Sequence, residues 1–209
     1  MLHFVSDGIN YACGLTLTGL VLSYFLNPWL GVPLYVVGLF CLWFFRDPDR
    51  KIPAGDVMVA PADGKVVSVK NTETDQVRIS IFLNVFNVHV ARAPRGGQIE
   101  DIVYQKGQFR VASLEAASAE NEKSTFKLVD STGSKLTFSL IAGLIARRIV
   151  CYKNRGDVVM TGERIGLMKF GSRVDVFAGP DWQVVVKGGE RVKAGATIIA
   201  QKIGSEAGA

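Results

Sequence analysis

The sequence predicts an α+β chain that is mainly β: a sandwich or barrel preceded by an N-terminal hydrophobic helical hairpin. Two observations carry this. From Gly8 to Phe45 there is no charged residue, and leucine, valine, phenylalanine, tyrosine and tryptophan dominate. After Arg46-Asp47-Pro48-Asp49-Arg50-Lys51-Ile52-Pro53 the pattern changes to short β-rich runs punctuated by glycine, proline, aspartate and asparagine, the spacing expected of a sandwich or barrel.

The apolar stretch is interrupted at Asn27-Pro28 and at Gly31-Val32-Pro33, and each half lies near the lower limit of the roughly 17 to 25 apolar residues that span a bilayer. A helical hairpin follows, as two short passes or one re-entrant turn, and either form returns the chain to its starting side. The basic cluster Arg46, Arg50 and Lys51 puts that side in the cytoplasm, so the expected location is the cytoplasmic side of the cell membrane, with Trp29 and Trp43 as interface anchors. A cleavable signal peptide is one rival reading. Against it, Met1-Leu2-His3-Phe4-Val5-Ser6-Asp7 lacks a basic n-region and the apolar stretch is longer than an h-region. A buried helical pair in a soluble core is the other, since short apolar segments are ambiguous on periodicity alone. The membrane-attachment segment is placed at residues 1–51 and the globular domain at 52–209.

Within the globular part, strands are expected at Val57 to Ala60, Gly64 to Val69, Val77 to Phe82, Gly97 to Tyr104, Ser124 to Leu128, Lys135 to Ile141, Val150 to Tyr152, Arg173 to Phe177 and Gln183 to Val186. A weak internal echo supports the β reading: Gly162-Glu163-Arg164-Ile165 recurs as Gly189-Glu190-Arg191-Val192, two tight turns entering strands. This resembles the turn pattern of barrel-sandwich hybrids, the β architecture of biotinyl and lipoyl carriers, and Met168-Lys169 mimics their attachment hairpin. The alanine-rich stretch Val111 to Lys123 reads as a brief helix or as a loop over a site.

A chain of 209 residues has room for one well-buried core plus an attachment segment, hardly for two full domains. Cys13, Cys41 and Cys151 are widely spaced without a C-x-x-C, which supports neither a disulfide framework nor a zinc knuckle and fits a reducing compartment. No metal site is expected. The net charge of +5 suits an anionic partner, lipid or nucleic acid; scattered basic residues and the lack of a recognition module argue against nucleic acid.

The chemistry concentrates at Phe170-Gly171-Ser172-Arg173. A serine hydroxyl directly follows a glycine carbonyl, the least hindered a chain offers, so Ser172 can attack the carbonyl of Gly171 and convert an amide to an ester. That step needs a base for the hydroxyl proton and a donor for the oxyanion. Of the two histidines in the chain, His3 precedes the apolar stretch and His89 is the candidate base. Asp63, in a Pro-Ala-Asp-Gly turn, can orient the imidazole as in a Ser-His-Asp arrangement. The competing structural roles are a turn aspartate satisfying local backbone donors and a hydrogen-bonded core histidine.

Four segments, Ala60-Pro61-Ala62-Asp63-Gly64, Phe82-Leu83-Asn84-Val85-Phe86-Asn87-Val88-His89-Val90-Ala91-Arg92-Ala93-Pro94, Gly143-Leu144-Ile145-Ala146-Arg147-Arg148-Ile149 and Phe170-Gly171-Ser172-Arg173, together resemble phosphatidylserine decarboxylase, in its short bacterial and archaeal branch. The resemblance implies a proenzyme that cleaves itself between Gly171 and Ser172 into a β chain, 1–171, and an α chain, 172–209, which stay associated as a heterodimer with further oligomerisation left open. Ser172 becomes a covalent pyruvoyl cofactor that condenses with the amine of phosphatidylserine as a Schiff base and draws electrons as carbon dioxide leaves, giving phosphatidylethanolamine. His89 is the implied proton donor. Longer members carry H-x-x-H-x-P, whereas this chain has Arg92 at the second position. Either His89 serves both steps, or Arg92 contributes electrostatically while another group moves the proton, since arginine is a very poor base.

Arg92, Arg147, Arg148 and Arg173 are candidates for the lipid phosphate or carboxylate, because a guanidinium offers two parallel donors. The alternative from another class is a membrane-attached barrel-sandwich adaptor or carrier without catalysis, in which Ser172 is an ordinary turn serine. That reading explains the anchor and the strands, but not the joint occurrence of Gly171-Ser172, His89 and Asp63.

Overall fold

Asn27 turns the apolar stretch back on itself. In the computed structural model, which describes residues 2–144, 149–169 and 171–204, strand β1 (Leu2–Phe4) leads into helix α1 (Ser6–Phe25), helix α2 (Pro28–Phe44) and strand β2 (Arg46–Pro48), and β1 pairs antiparallel with β2. The side chain of Asn27 accepts from the Trp29 N–H at 2.9 Å and Pro28 opens the helix, the signature of a capped N-terminus. Gly31-Val32-Pro33, expected to interrupt, lies inside α2. The helices bury their small residues, Gly8, Ala12 and Gly19 on α1 and Gly31 and Gly38 on α2, and leave large apolar side chains such as Leu17, Tyr24, Phe25, Trp29 and Leu39 exposed.

Among the described residues no helix is long and apolar enough to cross a membrane. The reason lies in the residues. The 17 residues of α2 reach about 25 Å at 1.5 Å per residue, short of a hydrocarbon core of about 30 Å. Helix α1 dilutes its apolar face with Asp7, Asn10, Thr16, Thr18 and Ser23.

The hairpin belongs to a first compact unit, Met1–Asp49, and the rest of the chain forms a second, Arg50–Ala209. In the second unit the strands are β3 (Val57–Val59), β4 (Gly64–Asn71), β5 (Val77–Leu83), β6 (Val90–Arg92) and β7 (Gly97–Gln105), followed by the short helix α3 (Ala117–Glu120). Then come β8 (Lys123–Val129), β9 (Lys135–Ile141), β10 (Ile149–Cys151), β11 (Val158–Val159), β12 (Arg164–Met168), β13 (Ser172–Ala178), β14 (Trp182–Val184), β15 (Arg191–Val192) and β16 (Ile198–Lys202). Each of the nine expected strands is present within one or two residues of its expected ends.

The strands form a curled half-barrel sheet in the order β11-β7-β8-β9-β13-β5-β4-β15, with two three-stranded sheets, β10-β12-β6 and β14-β16-β3. Alternation along each strand builds the core. Val66, Ile79, Ile81, Phe126, Phe138, Leu140, Val174 and Val176 point into it, and the rings of Phe126 and Phe138 stack with centroids 5.0 Å apart. The two Gly-Glu-Arg turns lead into β12 and β15 as the echo implied.

Candidate active site

Four motifs far apart in sequence meet at one end of neighbouring strands. Lys65 on β4, Phe82 on β5, Arg173 on β13 and Ile141 on β9 are successive cross-strand partners. Because adjacent strands are antiparallel, each start abuts the next strand's end: β4 starts at Gly64, β5 ends at Leu83, β13 starts at Ser172 and β9 ends at Ile141. The Pro-Ala-Asp-Gly turn, the His89 loop, the Gly-Ser junction and the Gly143 turn therefore border one edge of the sheet.

At the junction, Ser172 is fully buried and pairs with Leu83. Gly171 has φ +36° with nothing near the position of a missing side chain, so the backbone conformation, and not a lack of room, asks for glycine. Gly143 is the opposite case. A Cβ there would overlap the Gly171 carbonyl oxygen, with Ala112 next nearest. The carbonyl that Ser172 would attack is thus packed on the bare Cα of Gly143. Beside it opens an apolar cavity of about 250 Å³ lined by Phe82, Val85, Val111, Leu144 and Gly171.

His89 lies on the loop from β5 to β6. The loop is shaped by two asparagines: Asn84 accepts from the Phe86 N–H and Asn87 from the Asn84 N–H, both at 2.9 Å, the local side-chain turns these residues favour. The His89 carbonyl accepts from the Met168 N–H at 3.1 Å. With Ser172 paired to Leu83, residues 83–89 and the stretch from Met168 to Ser172 close into a small ring that holds both His89 and Ser172. The imidazole is 1 % exposed. Its Nδ1 lies 2.9 Å from the Asn87 carbonyl; a carbonyl only accepts, so Nδ1 carries a hydrogen, and the neutral ring has its lone pair at Nε2.

The hydrogen bonds of Asp63 run to groups other than the His89 imidazole. Its carboxylate takes Arg50 Nη2 at 3.0 and 2.9 Å and the Ala194 N–H at 2.8 Å, tying the 60–64 turn to the 193–197 turn. The Asn87 carbonyl, built into the same loop as the imidazole, meets Nδ1 where Asp63 was expected to orient the ring. Arg50, expected at the membrane surface, is instead a nearly buried partner of Asp63. Arg92 is buried, donating from Nη1 to the Gly162 carbonyl at 3.0 Å and from its backbone to the Pro61 carbonyl.

Arg173 lies on the opposite face of β13 from Val174. Its guanidinium donates to Asp175 Oδ1 (Nε, 2.7 Å), Ser80 Oγ (Nη2, 2.7 Å) and the Leu114 carbonyl (Nη1, 3.2 Å), and Ser118 Oγ donates to Asp175 Oδ2 at 2.6 Å. These internal partners and full burial correct its expected role as a substrate ligand. The Val111 to Lys123 stretch, which contains α3, covers this face. Arg147, Arg148 and Phe170 lie outside the described residues. Sequence reasoning missed Asn87, Arg50, Asp175 and Ser118. Only Asn87 carried a signal, as the second asparagine of an Asn-x-x-Asn turn leading to the histidine.

A family profile for phosphatidylserine decarboxylase matches residues 37–200. Relatives named phosphatidylserine decarboxylase proenzyme include one from Solibacter usitatus, 52 % identical over 97 % of this chain and 98 % of its own length. Another, from Magnetococcus marinus, is 46 % identical over 85 % and 86 %, and a third, from Syntrophus aciditrophicus, is 42 % identical over 90 % and 92 %. With the profile covering most of the polypeptide and the relatives nearly all of it, the chain belongs to the phosphatidylserine decarboxylase family.

Proposed function

We propose that this decarboxylase removes the carboxyl group of phosphatidylserine, after cutting itself between Gly171 and Ser172. The observation that carries the reading is the packing of the Gly171 carbonyl on Gly143 next to the buried Ser172, in a chain whose relatives are named proenzymes.

In the cut, Ser172 Oγ adds to the Gly171 carbonyl carbon as its proton passes to a base, for which His89 Nε2 has the right tautomer. The oxygen that gains charge develops against the Gly143 turn, where no side chain obstructs it. Collapse breaks the C–N bond and leaves an ester. Loss of the Ser172 Cα proton then expels the Gly171 carboxylate, and hydrolysis of the resulting dehydroalanine releases ammonia and leaves a ketone. The residues fit such a group: position 172 is buried, its neighbour Gly171 faces open space, and the adjoining cavity is apolar. Once formed, the pyruvoyl group supplies a carbonyl that takes the substrate amine and an electron sink for the departing carbon dioxide.

The protein's own residues then hold and protonate. His89 is the proposed donor to the carbon that loses carbon dioxide, the apolar cavity excludes water from it, and Asp63 with Arg50 braces the turn that starts β4. Arg147 and Arg148 remain proposed contacts for the anionic headgroup. The division at 1–51 and 52–209, the β and α chains 1–171 and 172–209, and attachment of the hairpin to the cytoplasmic side of the cell membrane belong to the same proposal. The hairpin dips into one leaflet without crossing.

Ser172→Ala tests the reading: it should stay folded, uncleaved and inactive, and borohydride with phosphatidylserine should fix lipid to the wild-type α chain only. Turnover by Ser172→Ala would overturn it.

A further inference from the structure

We infer that Arg173, Asp175 and Ser118 form a clamp whose task begins once the chain is cut: it holds the new α-chain end, and the plane of the amide between residues 172 and 173, in register on the sheet. The inference rests on the proposed cleavage and adds positioning residues to it.

Before the cut, residue 172 is tethered on both sides. Afterwards it is a chain end at the first position of β13, and chain ends fray unless something ties them down. In the ladder Ser172 pairs with Leu83, while pairing to β9 begins at Arg173 with Ile141. The next residue adds a grip of its own. Through its guanidinium Arg173 grips its own strand at Asp175, β5 at Ser80 and the covering segment at Leu114 and, at 3.7 Å, the half-exposed Glu115, and Ser118 adds a bond from α3 to Asp175. Ser80, Leu114 and Ser118 fall in the proposed β chain and Arg173 and Asp175 in the α chain, so the network crosses between the products of cleavage.

A buried ion pair adds little net stability compared with apolar side chains of the same volume; its best-attested use is to fix register. Register matters here because the electron sink extends through the 172–173 amide, and small errors of placement in a reacting group are costly. The apolar face of β13, with Val174 and Val176 in the core, holds the strand to the sheet but ends two residues short of the cut. Arg173 covers that gap.

The test uses full-length protein in detergent–phosphatidylserine micelles. Ser118→Ala removes one hydrogen bond without stranding a charge, and Arg173→Met with Asp175→Leu removes the pair at similar volume. Wild type and both variants should be cleaved alike, with KM held and kcat lowered, about tenfold in the double variant and less in Ser118→Ala. Hydrogen exchange over 172–178 should quicken in the cleaved variants, and should stay slow when the same changes are made in uncleavable Ser172→Ala. Wild-type kcat and exchange in both variants would overturn the clamp. So would loss of cleavage, which would put the network's role before the cut. A wild-type chain that carries no pyruvoyl group would refute the underlying reading instead, and the wild-type control reports that separately.

Discussion

The carbonyl oxygen of Gly171 packs on the Cα of Gly143, in the space a side chain at 143 would fill. Gly143→Ala must therefore push the carbonyl out of place while leaving the ends of β9 and β13 otherwise intact. Maturation should slow by about 100-fold, the scale of a small misplacement of reacting atoms, and the melting temperature should fall as well, because the displaced group is backbone. Gel separation of the two chains over time checks this, and cleavage at the wild-type rate would count against the site.

His89 has its lone pair at Nε2 because the Asn87 carbonyl holds Nδ1. His89→Gln keeps a polar side chain of similar reach without a usable base, so maturation should fall by about 10² to 10⁴. Normal cleavage with lost turnover would confine His89 to the second reaction.

Asp63→Ala strands Arg50, whose side chain is only 10 % exposed, and should cost about 3–5 kcal/mol. The double variant Arg50→Met, Asp63→Ala should recover most of the stability and most of the cleavage, because Asp63 acts by bracing its turn. Recovered melting temperature with cleavage still lost would assign Asp63 a direct chemical part.

Asp130 gives a pH signature remote from the site. Burial alone would raise its carboxyl, but the Thr132 hydroxyl and N–H, the Ser134 N–H and Arg95 outweigh it and hold the pKa at about 2. A depressed carboxylate contributes stability above its unfolded value, near 4, and loses it as pH falls through about 2. Asp130→Asn should lower stability at pH 7 by on the order of 2 kcal/mol and converge with wild type below pH 2. A difference independent of pH would contradict this assignment.

At the hairpin turn Tyr24 is 83 % and Trp29 79 % exposed, with Phe25 beside them. Phe25→Ser with Trp29→Ser should weaken co-sedimentation with anionic vesicles by at least tenfold, given about 1.5–3 kcal/mol for each large apolar side chain buried. Unchanged partition would leave the hairpin without a membrane role.

Much of this was legible in the residues. An apolar stretch broken at Asn27-Pro28, alternating strands and an unhindered Gly-Ser bond all depend on local chemistry. Partners were not. The spacing of Asp63 and His89 says nothing of which atom each meets, and the atom that fixes His89 is a backbone carbonyl, invisible as a residue type. Arg50 looked like a membrane-surface charge because burial is a tertiary property. Three-residue strands such as β6 are too short to show alternation, and the line from Lys65 through Phe82 to Arg173 exists only in the register of the sheet.

The central claim is that the Gly171–Ser172 bond is given up to make a ketone, and the mass of the C-terminal fragment from purified wild-type protein tests it most directly. A fragment 172–209 beginning with a pyruvoyl group is the predicted result. A single uncut chain in active preparations, or a fragment beginning with unmodified serine, would contradict it.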